Sequence, residues 1–342
     1  MLKSLSNFLF TVVLCGVTAT ACVTANGPAP GAGEAPRPPV LTEKTTSGDA
    51  MQAAVQFGGD TLQEVKRLAK NQKQGVAIGQ SVESLLTRDA SSLSDRELLN
   101  AGHLYTSMPV PLSIPLFRSL ANSPRPLARQ LGWQLAASKP SPVVGSAMDL
   151  ELTRALAENE MDIVLIPMMA NAVRANRLIS AYTVVRQGLM TRGDEEFAQA
   201  MVALSPERAS EDFMTYLAQA PAEELRQLTL SSVNLYTAVA ILKHLQKHPP
   251  NLANAYFDHL FLYAVSRNTG LAELAQLTVE NFVPAHTDLV AMALARHPAW
   301  VQIAYLENAR RRMNPKEGLL LGELKKVTSE RDVIEEIDEA KF

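Results

Sequence analysis

The sequence predicts an all-α fold, an irregular α-solenoid of helical hairpins, over residues 51–328. Apolar residues recur there at helical spacing, as on one face of a single predicted helix: Ala253, Tyr256, Phe257, Leu260, Phe261 and Ala264. Strand-like alternation is scarce, because Val143-Val144 and Val184-Val185 are too brief. Neighbouring prolines that mark breaks often lie 14 to 18 residues apart, which leaves room for one helix and a loop. Two such units form a hairpin, and hairpins must stack to bury their apolar faces.

The first 21 residues have the three parts of a secretory signal. Lys3 supplies a positive charge, an apolar stretch follows it, and Ala19-Thr20-Ala21 supplies the small residues of a cleavage site. The apolar stretch is shorter than the ~20 residues that a membrane-spanning helix needs. We therefore predict a signal peptide over residues 1–21 and no transmembrane helix.

Cys22 follows this cleavage site directly, and Cys15 is the other cysteine of the chain. The run Ala19-Thr20-Ala21-Cys22 resembles the lipobox of bacterial lipoproteins, although Ala19 stands where that family usually has leucine. Ordinary cleavage after Ala21 would leave Cys22 as a free thiol or as one that pairs between chains. No later cysteine could form an internal disulfide with Cys22. Acylation of Cys22, for example with palmitate, would explain why this cysteine is present. Val23 replaces the aspartate that marks inner-membrane retention in that family, which implies an outer-membrane lipoprotein that faces the periplasm.

Residues 22–50 are predicted to be a disordered tether. Proline and glycine dominate the stretch between Asn26 and Pro39. Such a composition cannot bury enough apolar surface to fold, and proline keeps the chain extended. The segment is either a spacer that holds the folded domain away from the membrane or simply a disordered terminus.

Residues 111–137 resemble a HEAT repeat. The first predicted helix carries Pro115 in an apolar run, and Asn122 stands where that family often has aspartate in the turn. Leu127 and Arg129 stand near the family's Val-Arg pair. The resemblance implies stacked helical pairs whose curved surface binds other proteins. An irregular helical array without HEAT ancestry predicts the same kind of surface.

The histidines do not form a metal motif. His244 and His248 lie four residues apart on a predicted helix and share a face, but Leu245 stands where a zinc protease of this type has glutamate. A zinc site would also need a third ligand, for which His259 is the candidate. His248 precedes Pro249, and its imidazole suits the partial negative charge of a helix C-terminus. We therefore predict no metal and no cofactor.

Motifs for nucleophilic catalysis and phosphate binding are also absent from the sequence. Glu83-Ser84 and Gly188-Leu189-Met190 resemble fragments of the lytic transglycosylase motifs, but they stand 105 residues apart and Thr191 replaces glutamine. Gly75 and Gly79 are expected to mark a break or weak spot in the helical region 61–87. The sequence thus predicts no catalytic residue and favours a protein that is not an enzyme.

The charge is balanced, with 32 basic and 35 acidic side chains. A nucleic-acid partner is therefore not expected, since it would require a strongly basic face. Residues 329–342 are acidic and follow a basic run that begins at Arg310. This segment is either a solvated capping helix or a tail that docks on a basic partner. The aromatic residues Tyr256, Phe257, Phe261 and Tyr263 either belong to the core or line a groove, and the shared apolar face favours the core. Tyr263 lies off that face, so the pattern does not decide whether it is exposed.

These features favour an interaction scaffold in a periplasmic or outer-membrane assembly, held to the membrane by a lipid on Cys22. Its expected partners are envelope proteins, and no small-molecule substrate is predicted. Two alternatives stay open: a cell-wall enzyme of the lytic transglycosylase type with Glu83 as its acid, and a carrier that holds a peptide or lipid.

Overall fold

The computed structural model describes residues 38–42, 45–157, 164–220, 233–248, 254–312 and 317–339. Within these ranges it contains 18 α-helices, two short 3-10 helices and no strand, which confirms the all-α prediction. All of these helices belong to one compact unit, Leu41–Phe342. The predicted signal peptide, Cys22 and most of the tether lie outside the described residues. In the described part of the chain, every helix falls short of the length and apolarity that crossing a bilayer requires.

The helices are numbered here in chain order. The first nine are α1 Ser47–Phe57, α2 Gly59–Leu68, α3 Gln72–Asp89, α4 Asp95–Ser107, α5 Ile114–Ala121, α6 Pro126–Ser138, α7 Gly145–Ala157, α8 Leu165–Ala175 and α9 Tyr182–Arg192. The other nine are α10 Glu195–Leu204, α11 Pro206–Leu217, α12 Leu235–Leu245, α13 Asn254–Ala264, α14 Thr269–Glu280, α15 Val283–Ala295, α16 Ala299–Arg312, α17 Glu317–Val327 and α18 Arg331–Glu339. The 3-10 helices Pro142–Val144 and Ile179–Ala181 precede α7 and α9.

The first helix begins earlier than the sequence predicted. It starts at Ser47 rather than at residue 51, because Thr46 caps it. The Thr46 hydroxyl accepts a hydrogen bond from the Asp49 amide at 3.2 Å and donates one to the Asp49 carboxylate at 2.6 Å. A threonine at this position satisfies an amide that would otherwise have no partner in the helix.

The helices pack in two layers. From α1 to α13 each odd-numbered helix contacts the next odd-numbered one, and from α2 to α14 each even-numbered helix contacts the next even-numbered one. Consecutive helices such as α5 and α6, or α13 and α14, pack against each other across the layers. This is the packing order of a helical solenoid, in which each pair buries its apolar faces against its neighbours.

The order becomes irregular after α14. Helix α15 packs against α13, α14 and α17, whereas α16 packs against α13 and α18. Helix α15 is kinked at His286, whose φ of −144° and ψ of 38° are not helical, two residues after Pro284. Pro284 lies in the first turn, where proline is well tolerated, and the non-helical residue comes just after this turn.

The segment that resembles a HEAT repeat forms the packed pair α5 and α6. Phe117 and Trp133 meet edge to face across this pair, with ring centroids 5.0 Å apart, and both are buried. Pro115 lies in the first turn of α5, which Ser113 caps, rather than inside the helix. Asn122 is the C-cap of α5 and thus lies in the turn. Membership of the HEAT family stays a prediction.

The expected break at Gly75 and Gly79 is wrong, because α3 runs unbroken from Gln72 to Asp89. The break in this region lies earlier, between α2 and α3, where the Asn71 side chain accepts a hydrogen bond from the Lys73 amide at 3.2 Å. Both glycines are buried: a Cβ at Gly75 would stand 2.5 Å from the Ala69 carbonyl oxygen, and a Cβ at Gly79 would meet the side chain of Val110.

Tyr263, which lies off the apolar stripe of its helix, belongs to the core. Tyr263 is fully buried, and its hydroxyl donates to the Leu217 carbonyl of α11 at 2.8 Å. Phe257 and Phe261 are buried as the apolar stripe predicts, and the side chain of Tyr256 lies outside the described residues. Helix α13 contacts α11, α14, α15 and α16, so its apolar surface extends beyond a single stripe.

The acidic C-terminal segment forms helix α18, which packs on α16 and α17. Val333 and Ile337 of α18 are buried. Glu336 pairs with Arg310 of α16 at 2.5 Å, and Asp338 pairs with Lys325 of α17. The acidic helix thereby pairs with part of the basic run of its own chain, which favours the capping-helix interpretation over a free tail.

Candidate functional site

The histidines singled out in the sequence lie in two separate places. The imidazole rings of His244 and His248 stack at the end of α12, with centroids 4.8 Å apart. His259 lies on α13 instead, next to Asp258, whose carboxylate is 3.8 Å from Nε2 of His297. Within the described residues, no three side chains of His, Cys, Asp or Glu come together as metal ligands.

Ser210 and His244 are close enough to suggest a catalytic pair, but their hydrogen bonds point to a structural role. Ser210 Oγ lies 2.6 Å from the His248 carbonyl, 3.1 Å from the Pro206 carbonyl and 3.0 Å from His244 Nε2. A hydroxyl has one proton, and a carbonyl oxygen can only accept it. Ser210 Oγ therefore has no proton left for Nε2, so Nε2 must carry a proton and donate it to Oγ. His244 therefore cannot accept the proton of Ser210, as a general base must.

This arrangement joins the C-terminal end of α12 to the start of α11. Ser210 is only 1% exposed, and the His244 ring meets Phe213 edge to face at 5.4 Å. Burial lowers the pKa of His244, with a smaller opposing effect from the hydrogen bond to the Pro206 carbonyl. The imidazole is accordingly held in its neutral form at neutral pH.

The two fragments that resemble lytic transglycosylase motifs lie on different helices, α3 and α9, and each has its own packing partners. Glu83 lies on α3 and accepts a hydrogen bond from the Ser113 hydroxyl, which also caps α5. The other fragment lies on α9, where Gly188 and Leu189 are buried. A Cβ at Gly188 would overlap the ring of Phe197, so this glycine allows α9 and α10 to pack closely.

An apolar recess of about 230 Å³ opens between α10 and α12. The residues that line it come from three helices: Ala198, Gln199 and Val202 of α10, Phe213 of α11, and Ala240 and His244 of α12. The recess thus lies between neighbouring helices of the even-numbered layer, with one odd-numbered helix beneath. It is smaller than the ~300–1,000 Å³ of pockets that enclose drug-sized ligands, and its size suits a single large side chain.

Both helices beside the recess also carry exposed side chains. We call this surface the α10–α12 groove; its flanking residues are the partly exposed Glu195 and the exposed Gln199 on α10, the exposed Tyr236 and Lys243 on α12, and the exposed Lys247 just after α12. Tyr236 is 75% exposed although it is a large aromatic residue. It lies one helical turn before Ala240, so an exposed ring stands next to the apolar recess.

The N-terminal end of α12 is fixed against the turn between α9 and α10. Asn234 caps α12 by accepting the amides of Tyr236 and Thr237. The Thr237 hydroxyl donates to the carbonyl of Gly193, which ends α9 with a φ of 72°. A left-handed conformation of this kind favours glycine. The start of α12 is therefore held beside the start of α10, so the two helices run in the same direction along the groove.

Sequence reasoning did not identify the groove. The exposed tyrosine at a polar position of α12 was the available signal, because Tyr236, Ala240 and Lys247 fall on neighbouring positions of one helical face.

No family model matches this chain, and no curated protein matches it in sequence.

Proposed function

We propose that this chain is a membrane-anchored bacterial envelope lipoprotein that acts as a scaffold for protein–protein interaction, with a lipid on Cys22. The observation that carries the interaction role is the α10–α12 groove, in which an exposed Tyr236 stands beside an apolar recess. Binding energy at protein interfaces concentrates on large aromatic residues and on pockets that hold one anchor side chain.

The proposed location rests on the N-terminal sequence. Cys22 follows Ala19-Thr20-Ala21, and no cysteine occurs later in the chain. A single acyl chain gives only marginal membrane binding, so stable anchoring at Cys22 would need more than one. The predicted tether, shortened to the residues between Cys22 and the first helix at Ser47, would then let the helical unit reach partners on the periplasmic side of the outer membrane.

The location is tested by Cys22→Ala in cells that are given a clickable fatty acid. We expect the wild type to be labelled and to sediment with membranes, and the variant to lose both properties. Cys15→Ala is the matched control, because this cysteine lies inside the predicted signal peptide and should leave labelling unchanged. An unlabelled wild-type protein, or a Cys22→Ala variant that remains acylated, would rule out the proposed anchor.

The interaction role is tested by site-specific photo-crosslinking. A photoreactive phenylalanine analogue replaces Tyr236 in the full-length protein, and in a second variant it replaces Gln63, which is exposed on α2. We expect discrete crosslinked envelope proteins from position 236 and none of the same size from position 63. Identical crosslinks from both positions, or none from 236, would contradict a specific interaction at the groove.

The cell-wall enzyme alternative is tested with purified peptidoglycan. Glu83 is held by Ser113 at the start of α5, and the fold gives it a structural partner. We expect no lysis by the wild type. Lysis that Glu83→Gln abolishes, in a variant that remains folded, would replace the scaffold proposal with the enzyme.

A further inference from the structure

The two ends of the α10–α12 groove differ in charge. Glu195 lies at the start of α10 and accepts a hydrogen bond from Gln199 at 2.8 Å, and Gln199 in turn accepts one from the Arg174 guanidinium of α8 at 2.6 Å. Lys243 lies near the other end, on the last turn of α12, and Lys247 follows just after the helix; both are exposed. Among the described residues, no carboxylate forms an ion pair with either lysine. The recess, which His244 and Val202 line, lies between these regions.

We infer that the groove binds a segment of a partner protein that inserts one large apolar side chain into the recess and places carboxylates beside Lys243 and Lys247. The inference rests on the proposed interaction function and specifies the chemistry of the partner. The recess is small, at about 230 Å³, and its size suits one large side chain. Because the two lysines lie at one end of the groove, they determine which end of the segment carries the carboxylates.

The apolar and charged parts of this surface have different tasks. Removing a large side chain from water supplies most of the affinity of such a contact. Exposed ion pairs contribute little by themselves, because water and salt screen them. The lysines are therefore expected to select among apolar segments by the charge of their neighbours rather than to hold a partner alone.

Two short peptides test the inference on the full-length protein: acetyl-Phe-Asp-Asp-amide and acetyl-Phe-Lys-Lys-amide. Binding is followed by NMR of labelled alanine and valine methyl groups. We expect the acidic peptide to shift the methyl signals of Ala198, Val202 and Ala240 in a saturable manner, and to bind at least tenfold more tightly than the basic peptide. Equal binding of the two peptides would overturn the charge assignment, and no shift with either would overturn the groove as a binding site.

Two charge-reversed variants test the role of the lysines, one in the groove and one as a matched control elsewhere. Lys243→Glu/Lys247→Glu should weaken the acidic peptide at least tenfold, whereas Lys70→Glu/Lys73→Glu changes two exposed lysines near the start of α3 and should not. Ala240→Leu fills the recess and should abolish binding of both peptides. Because the lysine variants alter only exposed side chains, they keep the test decisive if Ala240→Leu fails to fold. Equal effects of the two lysine pairs would contradict the inference.

The same lysine variant separates this inference from the scaffold function. Suppose that partners in cells still crosslink at position 236 when Lys243→Glu/Lys247→Glu is present. That result would refute the predicted acidic chemistry of the partner and leave the scaffold function standing. If no surface position of the protein gave crosslinked partners, the scaffold function itself would be refuted. Partners that are lost only in the charge-reversed variant would support both.

Discussion

Gly79 of α3 lies directly beneath Val110, which belongs to the loop between α4 and α5. A Cβ atom at position 79 would stand 2.7 Å from Val110 Cγ2 and 3.0 Å from the Cβ of Met108. Val110 is buried, so it has little room to move away. The absence of a side chain at Gly79 is what allows this loop to lie on the surface of a continuous helix.

Gly79→Ala should therefore destabilise the protein. Alanine improves helix propensity by ~1 kcal/mol over glycine, but overpacking a buried contact costs about 1–3 kcal/mol, and the overlap with Val110 and Met108 falls in the second class. We expect a lower midpoint of urea unfolding, followed by circular dichroism. Gly322→Ala is the control, because nothing lies within 4 Å of a Cβ there. It should stabilise α17 by about 0.5–1 kcal/mol, and two changes of the same sign would contradict this account.

Arg125 joins three helices and gives a second prediction. Its guanidinium donates to the carbonyls of Ala90 at 2.8 Å and Leu93 at 2.5 Å, and it pairs with Asp95 at 2.5 Å. Arg125 is the N-cap of α6, while these partners lie between the end of α3 and the start of α4. Several backbone carbonyls of one loop therefore depend on this side chain.

We expect Arg125→Ala to cost about 1.5–3 kcal/mol of unfolding free energy, the usual range for hydrogen bonds to a charged group. Arg118→Ala is the matched control, because Arg118 is exposed on α5 and should change stability by less than ~0.5 kcal/mol. The measurement is again urea unfolding. Equal effects of the two substitutions would show that the loop carbonyls do not need Arg125.

The sequence predicts the class of this fold better than its boundaries. A serine followed by a proline predicts a helix that begins at the proline, because the fixed φ of proline suits a helix start. Pro206 occupies the first position of α11 after Ser205 in this way. At Ser123-Pro124 the helix begins instead at Pro126, since a second proline follows and takes the first helical position. Local signals thus locate a break to within a few residues, and tertiary contacts decide the final position.

Contacts between distant segments explain what the sequence could not predict. Tyr263 was placed off the apolar stripe because one helix was considered alone, whereas its hydroxyl bonds to Leu217 of another helix. The recess escaped detection for the same reason, since Val202, Phe213 and Ala240 meet only when three helices pack. Periodicity reports the face that each helix buries but not the surface that two helices form together.

Burial of the histidines predicts a loss of stability in mild acid. Burial lowers the pKa of His103, His244, His259 and His297 in the folded protein. In the unfolded chain a histidine titrates near ~6.5, so below that pH the unfolded state binds more protons. The histidine contribution is therefore complete above about pH 6.5 and falls as the pH drops toward the lower folded values.

His244→Gln should reduce this loss between pH 7.5 and pH 5.5. Glutamine keeps an N–H donor for Ser210 but does not titrate, so the variant should show a smaller difference between its urea midpoints at the two pH values. His286→Gln is the control, since His286 lies on α15, outside the contact between His244, His248 and Ser210. An unchanged difference in His244→Gln, or an equal reduction in both variants, would show that burial of His244 does not contribute.

Helix α18 should open independently of the rest of the unit, because it buries only Val333 and Ile337 and packs on two helices, α16 and α17. Val333→Ala removes two buried methyl carbons, which are worth ~0.8 kcal/mol each. A loss of this size raises local opening about tenfold. Hydrogen exchange followed by mass spectrometry should accordingly speed up in α18 while α5 and α6 stay unchanged. Leu319→Ala is the control, because Leu319 is exposed on α17, and faster exchange throughout the chain would show instead that α18 is part of the global folding unit.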